Sequence, residues 1–183
     1  MARIDDFRAH LTQGGARPTQ FEVNLVFPSF ANAGEAGTHG KFMCVATSLP
    51  SSTIQPIEVP YRGRMIKLAG ERVFQNWSVR ILNDGNFIIR GALERWSKTI
   101  LEHASTAGTV RPTEYAVDLE VKQLGRSQAA GAEELVLRHY VFHNCWPVNI
   151  SEIQLDFGNM NAIEDFNVEF SVDYWTTKSP EIQ

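Results

Sequence analysis

Residues 145–175 read CWPVNISEIQLDFGNMNAIEDFNVEFSVDYW, and this stretch decides the fold that the sequence predicts. Over residues 166–174, apolar side chains alternate with polar ones. Successive side chains of a strand point to opposite faces, so the alternation predicts a strand with one apolar face and one acidic, hydrated face. The strand is expected to begin at Glu164-Asp165 and to end at Trp175, after a turn at residues 157–161.

Length and composition limit the class of protein. At 183 residues, with 43% hydrophobic residues, the chain is predicted to form a single domain whose strands have one hydrated face. A net charge of −4 argues against a dedicated nucleic-acid-binding protein, because phosphate binding requires a basic surface. No run approaches the ~20 apolar residues of a membrane span, and the N-terminus lacks a signal-peptide run. Cys44 and Cys145 are expected to stay reduced, as in a cytosolic chain.

The first quarter of the chain predicts one short helix and two strands. Residues 1–16 form an N-terminal arm, in which residues 5–11 have the apolar spacing of a helix. Alternation predicts a strand over residues 21–27, and small residues over 28–40 predict a long hairpin tip at the surface. The chain is then expected to return as a partner strand over residues 41–46.

Residues 49–72 predict an ordered, extended excursion. Pro50, Pro56 and Pro60 interrupt this segment, and its isolated apolar residues indicate short extended pieces rather than a packed strand. A long excursion in a compact domain is usually functional or disordered. The even spacing of the apolar residues favours an ordered segment that docks against another surface.

The remaining patterns complete the predicted fold. A strand over residues 73–82 is followed by a capping turn and by the main helix, over 87–103. Strands are also predicted over residues 115–121 and 135–146, joined by a small-residue hairpin loop. The predicted fold is mainly antiparallel β, a β-sandwich or open barrel with one main α-helix. From periodicity alone, solvent exposure explains the polar strand faces better than a hydrated channel does, and both interpretations stay open.

The sequence offers few candidates for metal-binding, phosphate-binding or catalytic residues. His139 and His143 are predicted to share a strand face with Cys145, but about 13 Å separates the two histidines, too far for one metal ion. No phosphate-binding glycine loop and no nucleophile elbow is present. The four tryptophans lie in periodic apolar contexts and are interpreted as core or interface packing. The sequence therefore predicts no enzyme, no metal and no cofactor.

Motifs spread over nearly the whole chain resemble one known family, the tail tube proteins of contractile-tailed, T-even-type bacteriophages. The motifs are ARP (16–18), CVATSLP (44–50), AGER (69–72), ND (83–84), WPVN (146–149), QLD (154–156), IEDF (163–166) and DYW (173–175). Each motif is weak alone, but their order, spacing and coverage make the resemblance specific. The chain departs from the family pattern at residues 28–40 and 129–134, which concerns surface contacts rather than the fold.

The resemblance implies a structural virion protein. Members of the family form hexameric rings whose inner sheets join into one barrel, and the rings stack into a tail tube. The implied partners are further copies of the chain, the sheath, the tape-measure, baseplate and terminator proteins, and DNA that passes through the lumen without specific binding. The implied location is the tail of the virion, after synthesis in the host cytoplasm.

Two sets of residues are candidates for assembly roles. An acidic lumen repels phosphate and lets DNA slide, so polar strand faces are candidates for its lining. The lumen candidates are Glu22, Asn24, Asp118, Glu120, Glu169, Ser171 and Asp173. The excursion at residues 49–72 is expected to dock on a neighbouring ring, with candidate ionic contacts at Arg62, Arg64, Glu71 and Arg72. The main helix is expected to cover the outer side of the sheet and to face the sheath.

Alternative functions remain at this stage. Within the same class, the chain could be a tube-like baseplate component or the inner tube of a tailocin or type VI secretion system. Outside the class, it could be a small-molecule-binding β-barrel or a hydrolase. A binding barrel predicts a stable monomer with an apolar cavity, whereas a tube protein predicts self-assembly.

Overall fold

A computed structural model describes residues 15–31, 35–103, 111–125 and 135–178, together with residues 4, 9, 10, 105 and 108. Within these residues, the strands are β1 (Phe21–Asn24), β2 (Cys44–Thr47), β3 (Ser52–Tyr61), β4 (Arg64–Phe74), β5 (Trp77–Leu82), β6 (Val117–Leu124), β7 (Val136–Ile150), β8 (Asp165–Ser171) and β9 (Tyr174–Lys178). The helices are α1 (Ala36–Met43), α2 (Ile88–Ile100) and α3 (Pro112–Tyr115), with a 3-10 turn at Ser29–Ala31. No described helix is long and apolar enough to cross a membrane.

Seven strands form an antiparallel sheet that divides into two layers along β7. The first half of β7 pairs with β6 and β9, and β6 pairs with β1; these strands are the first layer. The second half of β7 pairs with β8, which is followed by β5 and β2; these strands are the second layer. Between the halves, Asn144 adopts a left-handed conformation (φ 55°), which Asn tolerates better than most residues. Among the described strands, β3 and β4 pair only with each other.

The apolar faces of the two layers meet around Trp77. Its ring stacks on Phe142 of the first layer, with 4.4 Å between the centroids, and lies 5.8 Å from Phe170 of the second. Helix α2 adds Leu93 and Trp96 to the same buried cluster, and the Trp96 ring lies 6.1 Å from Phe170. The helix therefore packs against the core that both layers share, instead of covering the outer side of a sheet as expected.

Several sequence predictions are confirmed. The fold is mainly antiparallel β, and α2 lies inside the range predicted for the main helix. The predicted capping turn is present, because Asp84 Oδ1 accepts a hydrogen bond from the backbone N–H of Ile88 at 3.0 Å. Residues 52–74 are ordered and extended as expected, although they form one continuous hairpin rather than short pieces.

The prediction for residues 28–46 is wrong. A 3-10 turn and helix α1 occupy most of the stretch that was expected to be a hairpin tip and the start of a strand. Only Cys44–Thr47 is extended, and it pairs with β5 rather than with β1. Ala36 is buried, and a Cβ on Gly40 would lie 3.3 Å from Leu25. The small residues therefore serve close helix packing rather than a surface loop.

Boundaries of three further predictions differ from the structure. The C-terminal strand breaks at Val172-Asp173, so that β8 belongs to the second layer and β9 to the first. The segment 146–149 continues β7 rather than entering a new strand. Tyr115 ends helix α3 instead of starting a strand. Most of the predicted helix over residues 5–11 and most of the loop over 124–131 lie outside the described residues.

Candidate assembly surfaces

A hairpin arm, residues 52–74, lies between β2 and β5 in the sequence and extends from the second layer. Its two-residue turn holds Arg62 (φ 44°) and Gly63 (φ 79°), the left-handed pair that a tight hairpin turn requires. A bulge interrupts the pairing nearer the base, where a Cβ on Gly70 would lie 2.5 Å from the Gln55 carbonyl oxygen. Glycine is therefore needed at this bulge for the two strands to approach each other.

The hairpin arm exposes an unusual amount of apolar surface. Its exposed apolar side chains are Ile54, Ile57, Val59, Tyr61, Met65, Ile66, Leu68 and Val73. Only its base is fixed by aromatic contacts, because Trp175 Nε1 donates to the Ser51 carbonyl at 3.4 Å and the ring lies edge-on to Phe74. Exposed apolar patches of this kind mark interaction surfaces, and an isolated two-stranded hairpin is marginally stable in water.

The predicted ionic contacts lie in two places along the arm. Arg62 and Arg64 flank the turn, and the Arg62 guanidinium lies 5.4 Å from the centre of the Tyr61 ring. Glu71 and Arg72 lie nearer the base, with Arg72 opposite Ile54 in the pairing. All four side chains are free of ion pairs with other described residues. The structure therefore separates these candidates into a tip pair and a base pair.

The outer face of the first layer carries four lumen candidates, and lysines pair with two of its carboxylates. Glu22 lies 3.5 Å from both Lys41 and Lys122. Glu120 lies 3.2 Å from Lys178 and 3.4 Å from His139. Asn24 pairs in register with Glu120, and Asp118 contacts His143 at 2.9 Å. The alternation of β6 in the sequence placed Lys122 on the face of Asp118 and Glu120, but the ion pairs of the three lysines were not predicted.

The same face contains a chain of hydrogen bonds from carboxylate to imidazole to hydroxyl. His143 Nδ1 lies 2.9 Å from Asp118, and its Nε2 lies 2.9 Å from the Thr176 hydroxyl. The imidazole therefore ties β9 to β6 across β7. Burial alone would raise the pKa of Glu120, but hydrogen bonds from Lys178 and Asn24 and the charges of Lys178 and His139 outweigh it and lower that pKa.

The other lumen candidates lie elsewhere. Glu169 is on the outer face of the second layer, beside Ser78 and Asn149 in the pairing, and it has no ion pair with another described residue. Ser171 ends the same strand, and Asp173 lies in the break between β8 and β9, where it accepts a hydrogen bond from Asn144 Nδ2 at 3.0 Å. The seven candidates therefore do not form one continuous face.

Comparison with known proteins identifies the fold family. A family model described as "Phage tail tube protein" matches residues 16–178. The chain belongs to this family. It is 29% identical over 173 residues to "Tail tube protein gp19" of Enterobacteria phage T4, covering 94% of this chain and 98% of that protein. The tail tube protein of Serratia phage KSP90 is 26% identical over 171 residues, with 92% and 93% covered.

Solved structures share the fold of this tail tube protein. The sheath–tube complex of the PVC extracellular contractile injection system matches with a TM-score of 0.59 at 13% identity, covering 98% of this chain and 100% of that one. The sheath/tube terminator of the same system matches with a TM-score of 0.61 at 15% identity, covering 90% and 97%. These likenesses confirm the predicted architecture.

The predicted position of Cys145 on the same strand face as His139 and His143 is wrong. The bulge at Asn144 shifts the alternation of β7, so that Cys145 lies buried in the core while both histidines stay on the outer face. No metal-binding group of His, Cys, Asp or Glu occurs among the described residues. Both cysteines are free thiols, and burial raises the pKa of Cys44 to about 11 and that of Cys145 to about 12.

Replacing Arg80 in the tail tube protein is expected to make its melting temperature vary less as the pH falls into the acid range. Arg80 Nε donates to Asp165 at 3.0 Å, and this hydrogen bond lowers the pKa of Asp165 in the folded state. A lowered carboxyl pKa stabilises the fold above the unfolded value of about 3.9, and that contribution disappears as pH falls through the folded value. The melting temperature of Arg80→Gln should therefore lie below that of the wild type near neutral pH and converge with it in acid.

Arg95→Gln is the matched control for this titration. Arg95 donates two hydrogen bonds to the Ala31 carbonyl, which does not titrate. Its effect on the melting temperature should stay constant over the same pH range. An Arg80→Gln difference that also stays constant down to about pH 2, well below the ordinary Asp pKa of about 3.9, would contradict the assigned pair.

Proposed function

We propose that this chain polymerises as stacked hexameric rings into the inner tube of a contractile phage tail and has a structural rather than an enzymatic role. The observation that carries the proposal is the hairpin arm, which pairs with no other described strand and exposes apolar residues along its length. Such a surface is typical of a binding interface, and in a tube every copy has another copy of the chain beside it to bind. The single domain at residues 1–183 supplies both the wall of the tube and the arm.

The free edges of the two layers support ring formation. Strands β1 and β9 are edges of the first layer, and β2 is an edge of the second. Unpaired edges invite aggregation unless another strand covers them, and closure into a ring covers every edge. In this arrangement the sheath surrounds the tube and contacts the exposed side of α2, while tape-measure, baseplate and terminator proteins meet its lumen and ends.

The outer face of the second layer is the better candidate for the lumen. Glu22 and Glu120 of the first layer are compensated by Lys41, Lys122 and Lys178, whereas Glu169 of the second layer is exposed and carries an uncompensated charge among the described residues. Each ring would then present a circle of carboxylates to passing DNA. Like charges keep phosphates away from the wall, so the genome can slide without binding.

Electron microscopy of the purified protein at rising concentration, together with its mass in solution, tests the proposal. We expect hollow rings or tubes of uniform width, with the mass rising in steps of a hexamer. If the protein stays monomeric at every concentration, tails from infected cells should be examined for the chain by immunogold labelling. Absence of the label from the tube would overturn the proposal.

Placing a lysine at position 169 is expected to slow genome ejection without preventing assembly. Glu169→Lys replaces a repulsive charge by one that attracts phosphate, and six copies per ring multiply the effect. Salt screens such attraction, so the delay should shorten as ionic strength rises. Release of DNA from purified particles, followed with an intercalating dye, measures the rate.

Asn24→Lys adds a lysine to the outer face of the first layer and serves as the control. If the second layer lines the lumen, this variant should eject DNA at the wild-type rate. A delay with Asn24→Lys but not with Glu169→Lys would place the first layer inside the tube instead.

A further inference from the structure

The connection between β7 and β8, residues 151–164, lies at the opposite end of the second layer from the hairpin arm. In the antiparallel pairing of β5 with β8, Trp77 lies opposite Phe170 and Leu82 lies opposite Asp165. The arm precedes Trp77, whereas the connection precedes Asp165. The two segments therefore project from opposite ends of the same strands.

The β7–β8 connection is apolar and open. Leu155 and Met160 are each 80% exposed, Phe157 is fully exposed, and Ile163 is also exposed. Residues 154–157, together with 159 and 162–164, line a cavity of about 400 Å³. Within one chain these side chains are left in water, which is costly for apolar groups of this size.

The charge of the connection complements that of the arm. Glu152, Asp156 and Glu164 have no ion pair with another described residue, although Asp156 Oδ1 accepts a hydrogen bond from the Gly158 N–H at 2.8 Å and Glu164 accepts one from Asn83 at 3.1 Å. The arm tip presents Arg62 and Arg64, which have no ion pair within the part of the chain that the structure describes. An apolar, acidic cavity thus faces one end of the chain and an apolar, basic tip faces the other.

We propose that the arm tip of one copy, residues 61–65, binds in the β7–β8 cavity of a copy in the next ring. Arg62 and Arg64 would meet Asp156 and Glu164, while Tyr61 and Met65 would cover Leu155 and Ile163; this inference rests on the proposed tube. Two different surfaces at opposite ends of one chain make a head-to-tail contact, which extends without limit and so builds a tube rather than a closed dimer.

The arm of one chain does not fill the cavity of that same chain, because all the residues that line the cavity lie between 154 and 164. The base of the arm and the cavity lie at opposite ends of β5, which has 6 residues and spans roughly 20 Å at ~3.3 Å per residue. The 10 residues of β3 give the arm a length of roughly 33 Å, enough to extend beyond its own protomer. A second copy is therefore the occupant proposed for the cavity.

Cross-linking between introduced cysteines tests the contact. Tubes of the double variant Met65→Cys/Leu155→Cys, treated with a short bismaleimide, should yield a ladder of covalent multimers on a denaturing gel. Each single variant should give only the wild-type background, because Cys145 is buried and both native thiols react slowly at neutral pH. Dimers from Met65→Cys alone would show that tips meet each other and would overturn the inference.

Charge exchange tests the ionic part of the contact. Arg64→Glu and Asp156→Arg should each lower the yield of tubes by about tenfold or more, and the double variant should recover most of the loss. Arg111→Glu, an exposed substitution outside both surfaces, should leave the yield unchanged. If all proteins are folded and the double variant does not recover the yield of tubes, this pairing is contradicted.

The outcomes separate this inference from the proposed function. If the wild type forms tubes but tubes of the double cysteine variant give no ladder, the arm-to-cavity contact is contradicted and the proposed tube is not. Failure of the wild-type chain to enter tubes would remove the proposed function itself.

Discussion

Shortening the hairpin arm is expected to abolish tube formation while leaving the protomer folded. Replacing residues 55–71 with Asn-Gly keeps the pairing of Ile54 with Arg72 and closes it with a turn suited to two residues. The removed part pairs only with itself, so the core around Trp77 loses no contact. Assembly, in contrast, would lose the apolar and basic surface that reaches the next ring.

Two measurements distinguish this result from simple misfolding. The melting temperature and the near-ultraviolet circular dichroism of the shortened protein should match those of the wild type. Sedimentation and electron microscopy should show protomers or single rings where the wild type forms tubes. Normal tubes from the shortened protein would show that another surface joins the rings.

The arm also shows how far sequence reasoning reached. Residues 49–72 were correctly predicted to be mostly extended, and their docking on a neighbouring ring stays a prediction. The three prolines hid the continuous hairpin, because proline lacks the N–H that a strand ladder uses and is rare inside strands. Ile57, Val59 and Tyr61 nevertheless alternate as in a strand with one apolar face.

Helix α1 was missed because its sequence has little helical preference. Residues 36–43 read AGTHGKFM, with two glycines, and glycine is unfavourable in isolated helices. In the folded chain, buried Ala36 and the close approach of Gly40 to Leu25 stabilise the helix through packing. Such tertiary contacts between distant residues cannot be derived from local composition.

The lumen candidates, which stay a prediction, are divided between two layers that the sequence did not reveal. Alternation correctly identified which strand residues face outward, but not which strands share a layer. The break at Val172-Asp173 separates β8 from β9, and the bulge at Asn144 divides β7 between the layers. One-residue shifts of this kind leave little trace in the hydrophobic pattern. They nevertheless decide that Glu22 and Glu169 point from different layers.

Truncating Trp77 is expected to be the most destabilising single change in the core. Its side chain is 2% exposed, stacks on Phe142 and packs near Phe170, so it joins the two layers directly. Trp77→Ala should lower the free energy of unfolding by about 3–5 kcal/mol, through lost burial and the cavity that remains. A protein of this size would then melt roughly 6–20 °C lower.

Trp77→Phe separates packing from hydrogen bonding at this position. Trp77 Nε1 donates to the Ser48 carbonyl at 2.9 Å, and Ser48 lies between β2 and the hairpin arm. The phenyl ring keeps most of the stacking on Phe142 but leaves that carbonyl without its donor, which should cost about 1–3 kcal/mol. Chemical denaturation of both variants measures the difference. Equal losses for Trp77→Phe and Trp77→Ala would show that the hydrogen bond to the base of the arm, rather than the aromatic contact between layers, dominates at this residue.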